Sequence, residues 1–149
     1  MLKITDKISE HLSAVRLLFK EYAEWMDHDL CFEGFADELE NLPGEYAPPD
    51  GFLLLAFIDE TPVGCIALRR FDEETCEMKR LWVNDKYRNL KIGVRLIEEF
   101  LLRAAKLDYR HVRLETTPKM TKAIDLYRSF KFQIVSDSEK IIVMFKKID

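Results

Sequence analysis

The sequence lacks a long apolar run, and this absence argues against a membrane helix of ordinary length. A helix that crosses a bilayer needs about 20 mostly apolar residues in a row, and no stretch of the 149 residues comes close to that length. The first six residues also lack the apolar core of a secretory signal peptide. We therefore expect a cytoplasmic protein without a membrane partner.

Cysteine is scarce, and the three that occur are widely spaced. Cys31, Cys65 and Cys76 are odd in number, and their spacing matches neither a disulfide framework nor a metal-binding pattern. The three histidines share no spacing with cysteine or aspartate that would complete a ligand set. We expect buried, reduced thiols and no metal site.

Three well-known catalytic signatures are also missing. The chain contains no Gly-x-Ser-x-Gly, no Walker A and no His-Glu-x-x-His pattern, so nothing supports a serine hydrolase, an NTPase or a zinc peptidase. Repeats, linkers and low-complexity segments are absent as well. With 48% hydrophobic and 34% charged residues, the chain is predicted to form one domain over residues 1–149.

Charge is distributed unevenly along the chain. Residues 1–60 hold four Lys or Arg against fourteen Asp or Glu, whereas residues 61–149 hold nineteen against thirteen. Nine acidic residues and no cation lie between Glu24 and Asp50. Such a segment can attract a cationic amine, or it can simply face water. The net charge of −4 and the short basic patch disfavour nucleic acid as a partner.

Hydrophobic periodicity predicts an α/β protein with a mixed sheet. Strands are predicted at 2–5, 52–58, 63–71, 76–83, 109–115 and 140–145. Helices are predicted at 8–26, 32–42 and 92–105, and from Thr117 through Tyr127 with Thr117 as the N-cap and Pro118 in the first turn. This order indicates an antiparallel meander, followed by a crossover helix that joins two parallel strands.

A basic segment lies where a predicted strand passes into a helix, at residues 87–95. One anion, Asp85, stands against the cations Lys79, Arg80, Lys86, Arg88, Lys91 and Arg95. A helix start leaves backbone N–H groups without intrahelical partners, and the helix dipole adds partial positive charge there. An anion such as a phosphate is therefore favoured at this junction. The alternative is a basic turn that only faces solvent.

The C-terminal half resembles the GNAT N-acetyltransferase superfamily. The matching segments follow the family's order: 77–83, then 87–93, then Ala123 to Tyr127, then Phe130-Lys131-Phe132. Residues 42–49 and 114–120 resemble one bacterial subgroup of uncharacterised GNAT proteins, so the similarity extends over nearly the whole chain. The resemblance implies a GNAT-like acyl-CoA N-acyltransferase fold, with a mostly antiparallel central sheet and helices on both faces.

The family's turn reads Arg/Gln-x-x-Gly-x-Gly/Ala, and here Arg88 to Gly93 has Lys91 in place of the middle glycine. The family also often has Asn where Met120 stands and Gly where Lys131 stands. The resemblance implies that the amides of the turn hold the pyrophosphate of acetyl-CoA, and that a backbone N–H of the preceding strand polarises the thioester carbonyl. The implied acetyl-CoA-binding residues are Leu81, Trp82, Val83, Arg88, Asn89, Leu90, Lys91, Ile92, Gly93 and Val94.

Two side chains match catalytic positions of the family. Glu77 lies 11 residues before Arg88, like a glutamate general base in histone-acetylating relatives, and a carboxylate there can take the amine proton directly or through water. The alternative for Glu77 is an ion pair with Arg69, Lys79 or another cation. Tyr127 matches the family's general-acid tyrosine, which protonates the leaving thiolate. Its alternative is an aromatic side chain on a buried helix face.

Together these implications predict an acetyl-CoA-dependent N-acetyltransferase that acts on a small-molecule or peptidyl amine by direct attack in a ternary complex. A homodimer is expected, since many relatives form one. The alternatives are a non-catalytic CoA-binding or regulatory module with a drifted pyrophosphate loop, a purely structural domain, and a different acyl donor such as succinyl- or propionyl-CoA. Acceptor specificity is expected to lie in the N-terminal helices and loops, where Tyr46 is a candidate pocket residue.

Overall fold

A seven-stranded sheet forms the centre of this computed structural model, which describes residues 1–27 and 32–148. Its strands are β1 Leu2–Thr5, β2 Phe52–Ile58, β3 Thr61–Arg70, β4 Thr75–Val83, β5 His111–Thr116, β6 Gln133–Asp137 and β7 Ile142–Lys147. The order across the sheet is β1-β2-β3-β4-β5-β7-β6. Within the described residues the β4–β5 pair is parallel and the other pairs are antiparallel. The predicted mixed, mostly antiparallel sheet is confirmed.

Helices cover both faces of the sheet. They are α1 Leu12–Trp25, α2 Phe35–Glu40, α3 Ile92–Lys106 and α4 Thr121–Ser129, with short 3₁₀ helices at Ile8–Glu10, Gly44–Tyr46 and Asp85–Leu90. α3 and α4 cover one hydrophobic core, and α1 and α2 cover the other. α3 is the predicted crossover between the parallel strands β4 and β5. Across the described ranges, no helix has the length and apolar character needed to span a bilayer.

The unbroken apolar run at 52–58 forms a central strand because both of its faces are buried. Successive side chains of a strand point to opposite faces of the sheet. Phe52 and Leu54 enter the core beneath α3 and α4, whereas Leu53 and Leu55 enter the core beneath α1 and α2. The run therefore shows no alternation of polar and apolar residues, and the predicted limits of β2 are confirmed.

The prediction that Thr117 caps the last helix is wrong. α4 begins at Thr121 with Met120 in the N-cap position. The chain turns first, and the Met120 N–H donates to the Thr117 carbonyl at 3.0 Å. The Thr117 hydroxyl is buried and has no hydrogen-bond partner among the residues that the structure describes. The Thr-Pro pair therefore belongs to a separate turn that precedes the helix.

The sequence pattern also gave no sign of β6. Among the described strands it pairs with β7 and with no other, so it forms an edge of the sheet. Its residues are mostly exposed, so they lack the apolar pattern by which a buried strand is predicted. The neighbouring strand β7 runs from Ile142 to Lys147, two residues later than predicted.

Two of the three cysteines are buried free thiols, as predicted. Cys65 and Cys76 lie in opposite cores. Burial raises the pKa of the Cys76 thiol to about 12, and burial likewise raises the pKa of Cys65. Both thiols therefore stay protonated at neutral pH. Cys31 lies outside the described residues.

Candidate active site

A β-bulge in β4 opens the sheet near its centre. The register between β3 and β4 shifts between Cys65 and Ala67, and in the facing segment of β4 Arg80 has a φ of 60°. A left-handed conformation costs a non-glycine residue about 1–2 kcal/mol. A bulge also bends its strand and re-aims the side chains. β4 therefore changes direction at this point.

β4 and β5 separate after Met78, just before the bulge. Their parallel pairing runs from Thr75 opposite His111 to Met78 opposite Leu114, and β4 then continues to Val83. The resulting β4–β5 cleft has a volume of about 210 Å³. It is lined by Tyr22, Glu33, Arg69, Glu77, Met78, Lys79, Arg80, Leu81, Leu114, Glu115 and Tyr127. The edge of β4 that faces this cleft has no partner strand among the described residues.

Tyr127 lies in the wall of the cleft and in the core at once. Its residue is 7% exposed, and its ring contacts Phe132 at a centroid distance of 5.9 Å. The end of α4 fixes its backbone, because the Phe132 N–H donates to the Tyr127 carbonyl and the Lys131 N–H donates to the Arg128 carbonyl. This pair of bonds is a Schellman motif. The position fits both sequence interpretations of Tyr127, and its role in proton transfer stays a prediction.

Glu77 lines the same cleft between two arginines. Its Oε1 accepts from Arg69 Nε at 2.7 Å, its Oε2 accepts from Arg113, and its side chain is 3% exposed. Arg69 also pairs with Glu45, and Arg113 pairs with Glu115. The ion pair with Arg69 is one of the structural alternatives that the sequence left open. A role for Glu77 as general base stays a prediction.

The bulge also attaches α2 to the sheet. Arg80 donates to both carboxylate oxygens of Glu38, at 2.9 and 2.7 Å, and its guanidinium lies 4.4 Å from the centre of the Phe32 ring. The Tyr46 hydroxyl donates to the same carboxylate at 3.0 Å. Burial by itself would raise the pKa of Glu38, but the bonds and charge of Arg80 and the bond from Tyr46 outweigh it, so the pKa is lowered.

This ion pair predicts a stability that depends on pH. The folded-state pKa of Glu38 lies below its ordinary value of 4.5, so the carboxylate stabilises the fold fully above that value, and the contribution disappears as pH falls through the folded pKa. Glu38→Gln is expected to lower the free energy of unfolding at pH 7 by about 3 kcal/mol, since Arg80 loses its charged partner. It should also flatten the loss of stability between about pH 5 and pH 3.

Urea denaturation at a series of pH values measures both effects. Glu40→Gln is the matched control, because Glu40 is an exposed carboxylate on the same helix. If the Glu38 variant and the wild type lose stability in parallel as the pH falls, the ion pair is not the source of the acid sensitivity.

The basic junction is a 3₁₀ helix that is fastened to the end of β4. The Asn84 side chain accepts from the Lys86 N–H at 3.0 Å and begins the Asp85–Leu90 helix. Arg88 Nε donates to the Val83 carbonyl at 3.1 Å. The Arg88 guanidinium also lies over the rings of Trp25 and Trp82, at 5.0 and 4.8 Å. Arg88 therefore holds the junction in place, in addition to any contact with a ligand.

Lys91 adopts the backbone conformation that a glycine would supply. Its φ and ψ are 58° and 30°, and α3 begins at the next residue. The Arg95 N–H donates to the Lys91 carbonyl at 3.2 Å, and the N–H groups before Arg95 have no intrahelical acceptor. Lys131 shows the same behaviour, with a φ of 74°. At both positions where lysine stands in place of the family's glycine, the backbone is left-handed.

The structure divides the predicted basic run into two groups. Lys79 and Arg80 lie on β4 at the cleft, and Arg80 is paired with Glu38. The remaining cations lie on the 3₁₀ helix and the first turn of α3: Lys86, Arg88, Lys91 and Arg95. The six cations that follow one another in the sequence therefore lie on different elements. Four of them lie on the 3₁₀ helix and at the start of α3, and the other two line the cleft.

The sequence pattern missed a second cavity beside the cleft, although Tyr46 was a candidate for its wall. This outer pocket has a volume of about 310 Å³. Its lining residues are Glu33, Gly34, Asp37, Glu38, Asn41, Pro43, Gly44, Glu45, Tyr46, Arg69 and Lys79. The two cavities share Glu33, Arg69 and Lys79. The acidic segment between Glu24 and Asp50 also pointed to this region, because it supplies Glu33, Asp37, Glu38 and Glu45 of the lining.

The chain is similar in sequence and in fold to known acetyltransferases. The sequence model of the acetyltransferase (GNAT) family matches residues 13–132. An uncharacterized N-acetyltransferase of Schizosaccharomyces pombe is 37% identical, over 85% of this chain and 79% of its own. An acetyltransferase of the GNAT family from Staphylococcus aureus has a TM-score of 0.86 at 19% identity and full coverage of both chains. PaiA N-acetyltransferase of Thermoplasma acidophilum, solved with coenzyme A, has a TM-score of 0.80 at 21% identity, over 99% of each chain.

Proposed function

Because the chain belongs to the acetyltransferase (GNAT) family, we propose that it transfers an acetyl group from acetyl-CoA to an amine of a small molecule or peptide, by direct attack in a ternary complex. One observation carries the proposal. The separation of β4 from β5 forms a cleft that has Tyr127 in its wall, and β4 leads from this cleft to the start of α3. A donor with an anionic end and a thioester end fits this arrangement.

The start of α3 would hold the phosphates of acetyl-CoA. The N–H groups of Ile92, Gly93 and Val94 precede the first intrahelical donor, and the helix dipole favours an anion there. Lys91 and Arg88 add positive charge from the preceding residues. Asn89 and Leu90 complete the proposed loop.

The edge of β4 would hold the arm that carries the thioester. Leu81 lines the cleft, and Val83 packs against the core beneath α3. Trp82 points away from that core, because its indole N–H donates to Glu21 at 3.1 Å and its ring stacks on Tyr22. We therefore assign Trp82 a backbone contact alone. A backbone N–H between Leu81 and Val83 would polarise the thioester carbonyl.

In the proposed reaction the amine nitrogen attacks the thioester carbonyl carbon and the C–S bond breaks. The leaving thiolate takes a proton from the Tyr127 hydroxyl, while the attacking nitrogen loses a proton to a base or to water. Glu77 lies at the cleft, but two guanidinium groups occupy its oxygens. In the proposed mechanism Glu77 positions Arg69 and Arg113. Its predicted role as general base is tested separately below.

The acceptor would enter through the outer pocket, which adjoins the cleft at Glu33, Arg69 and Lys79. The acidic side chains of this pocket favour a cationic amine. Several expectations from the sequence accompany the proposal as predictions: a single domain, a cytoplasmic location, a homodimer, no metal, and no membrane or nucleic-acid partner.

Release of free thiol from acetyl-CoA in the presence of an amine panel tests the proposal. We expect release that needs both substrates, and initial rates that show a ternary complex with no acetyl-enzyme intermediate. Thiol release without any amine would contradict direct transfer. Tight acetyl-CoA binding with no thiol release on any amine would favour the alternative of a non-catalytic CoA-binding module. Parallel assays with succinyl- and propionyl-CoA test the identity of the acyl donor.

A further inference from the structure

Of the three cations that line the cleft, Lys79 is the one without an ionic partner in the described part of the chain. Arg69 pairs with Glu45 and Glu77, and Arg80 pairs with Glu38. Lys79 forms no ion pair within residues 1–27 and 32–148. It is half-buried and lines both the β4–β5 cleft and the outer pocket. Lys79 therefore lies at the junction of the two cavities, on the proposed route of the acceptor from the outer pocket to the cleft.

Strand alternation places Lys79 at this junction, and the β-bulge places Arg80 beside it. Glu77 and Lys79 lie two residues apart on β4, so their side chains share one face of the sheet. The left-handed backbone at Arg80 interrupts the alternation, and Arg80 reaches Glu38 of α2 from the same region. Lys79 and Arg80 thus lie side by side, and Glu38 of α2 pairs with Arg80.

Lys79 is too distant from the start of α3 to serve the phosphates of acetyl-CoA. Val83 lies four residue steps after Lys79, which is about 13 Å along β4. The 3₁₀ helix Asp85–Leu90 adds further distance before α3 begins. An anion for Lys79 must therefore come from the acceptor side of the cleft.

The surroundings of Lys79 disfavour an unpaired ammonium. Burial lowers its pKa, and the neighbouring charges of Arg80 and Arg69 lower it further. Glu77 and Glu38 oppose this effect without reversing it. A half-buried charge that lacks a partner reduces the stability of the fold, and such a cost is common where a residue is held ready for a ligand.

We propose that the acceptor amine also carries an anionic group, in the simplest case a carboxylate, and that Lys79 binds this group. This inference rests on the proposed function and narrows its acceptor to amino acids and similar small zwitterions. Glu33 and Asp37 line the outer pocket and form no ion pair in the described part of the chain, so they provide carboxylates that attract the ammonium of such an acceptor. A plain polyamine would leave Lys79 without a partner.

Acceptors that share one carbon skeleton test the proposal. The panel contains an amino acid, its uncharged amide, the decarboxylated amine and the corresponding aminoalkyl phosphate, and thiol release gives kcat/KM for each. We expect the wild type to prefer an anionic acceptor over the amide by about tenfold or more, the value of a charge-assisted hydrogen bond. Comparing kcat/KM for the amino acid with kcat/KM for the aminoalkyl phosphate shows which anion the site prefers.

Lys79→Met is the informative variant. We expect the preference for the anionic acceptor to fall towards one, mainly through a higher KM, and the midpoint of thermal unfolding to rise. Calorimetric titration of each acceptor onto the CoA-bound protein measures the same ratio without turnover. Lys106→Met is the matched control, since Lys106 is exposed at the far end of α3, and it should keep the wild-type preference.

The proposal is overturned if the wild type uses the amide as well as the amino acid, or if Lys79→Met keeps the wild-type preference. Both results leave the proposed acetyl transfer intact. In contrast, a wild type that binds acetyl-CoA but releases no thiol with any acceptor contradicts the proposed function itself.

Discussion

Replacing Tyr127 with phenylalanine is expected to lower kcat by about 100-fold or more, because general-acid catalysis typically contributes that factor. The substitution removes one oxygen from a side chain that lines the cleft. The ring would still fill its place beside Phe132 in the core beneath α3 and α4. Affinity for acetyl-CoA should therefore change little, and the loss should appear in kcat. Steady-state thiol release and calorimetric binding measure the two quantities separately.

Tyr109→Phe is the matched control for the loss of one hydroxyl. Tyr109 is also buried, and its hydroxyl donates to the Asp50 carbonyl at 2.6 Å, away from the cleft. This variant should lose about 1 kcal/mol of stability and keep its kcat. If Tyr127→Phe retains the wild-type kcat, Tyr127 is not the general acid, and its contribution is limited to packing.

Replacing Glu77 with glutamine is expected to lower the free energy of unfolding by about 3 kcal/mol or more. Glu77 is the buried centre of an ion network in which Arg69 and Arg113 donate to opposite oxygens of one carboxylate. Removing one partner of a buried ion pair leaves uncompensated charge, and here two guanidinium groups are affected. Glu115→Gln removes a more exposed member of the same network and should cost less than about 1 kcal/mol.

The same variant tests the predicted role of Glu77 as general base. At a temperature where Glu77→Gln is folded, a general base requires that the acidic limb of the kcat/KM profile disappear. A limb that persists at its wild-type position contradicts that role and leaves Glu77 as a positioning residue. A stability equal to that of the wild type would contradict the ion network as the main contribution of Glu77.

Much of the fold follows from local sequence patterns. The apolar run of β2 gives its strand limits without error, because a strand that is buried on both faces needs no polar alternation. The crossover helix α3 repeats buried residues at Ile92, Leu96, Phe100 and Ala104, which is the spacing of one helix face. Edge strand β6 escaped prediction because exposure removes this hydrophobic signal.

The centre of the site depends on contacts that no local pattern records. The bulge at Arg80 is a shift of register between β3 and β4, and it is stabilised by Glu38, which lies 42 residues earlier in the chain. In the sequence, Lys79 and Arg80 look like the beginning of the basic run that continues to Arg95. Only the pairing of strands shows that these two cations belong to the cleft.

The backbone at the start of α3 could not be predicted from the motif, because Lys91 replaces a glycine of the family. The lysine at position 91 departs from the glycine of the family motif, which raised the alternative of a drifted pyrophosphate loop. The backbone nevertheless takes the left-handed conformation of glycine at Lys91, and also at Lys131. Lysine therefore occupies a backbone conformation that favours glycine, and it adds a charge beside the helix start.

Calorimetric titration of acetyl-CoA onto the wild type and Lys91→Glu tests the central claim most directly. Lys106→Glu makes the same charge change at the opposite end of α3 and serves as the control. If the phosphates lie at the start of α3, the wild type and the control bind with similar affinity, and Lys91→Glu weakens binding about tenfold or more, equal to about 1.4 kcal/mol. A folded wild type that does not bind, or three proteins of equal affinity, would contradict the placement of acetyl-CoA at this helix.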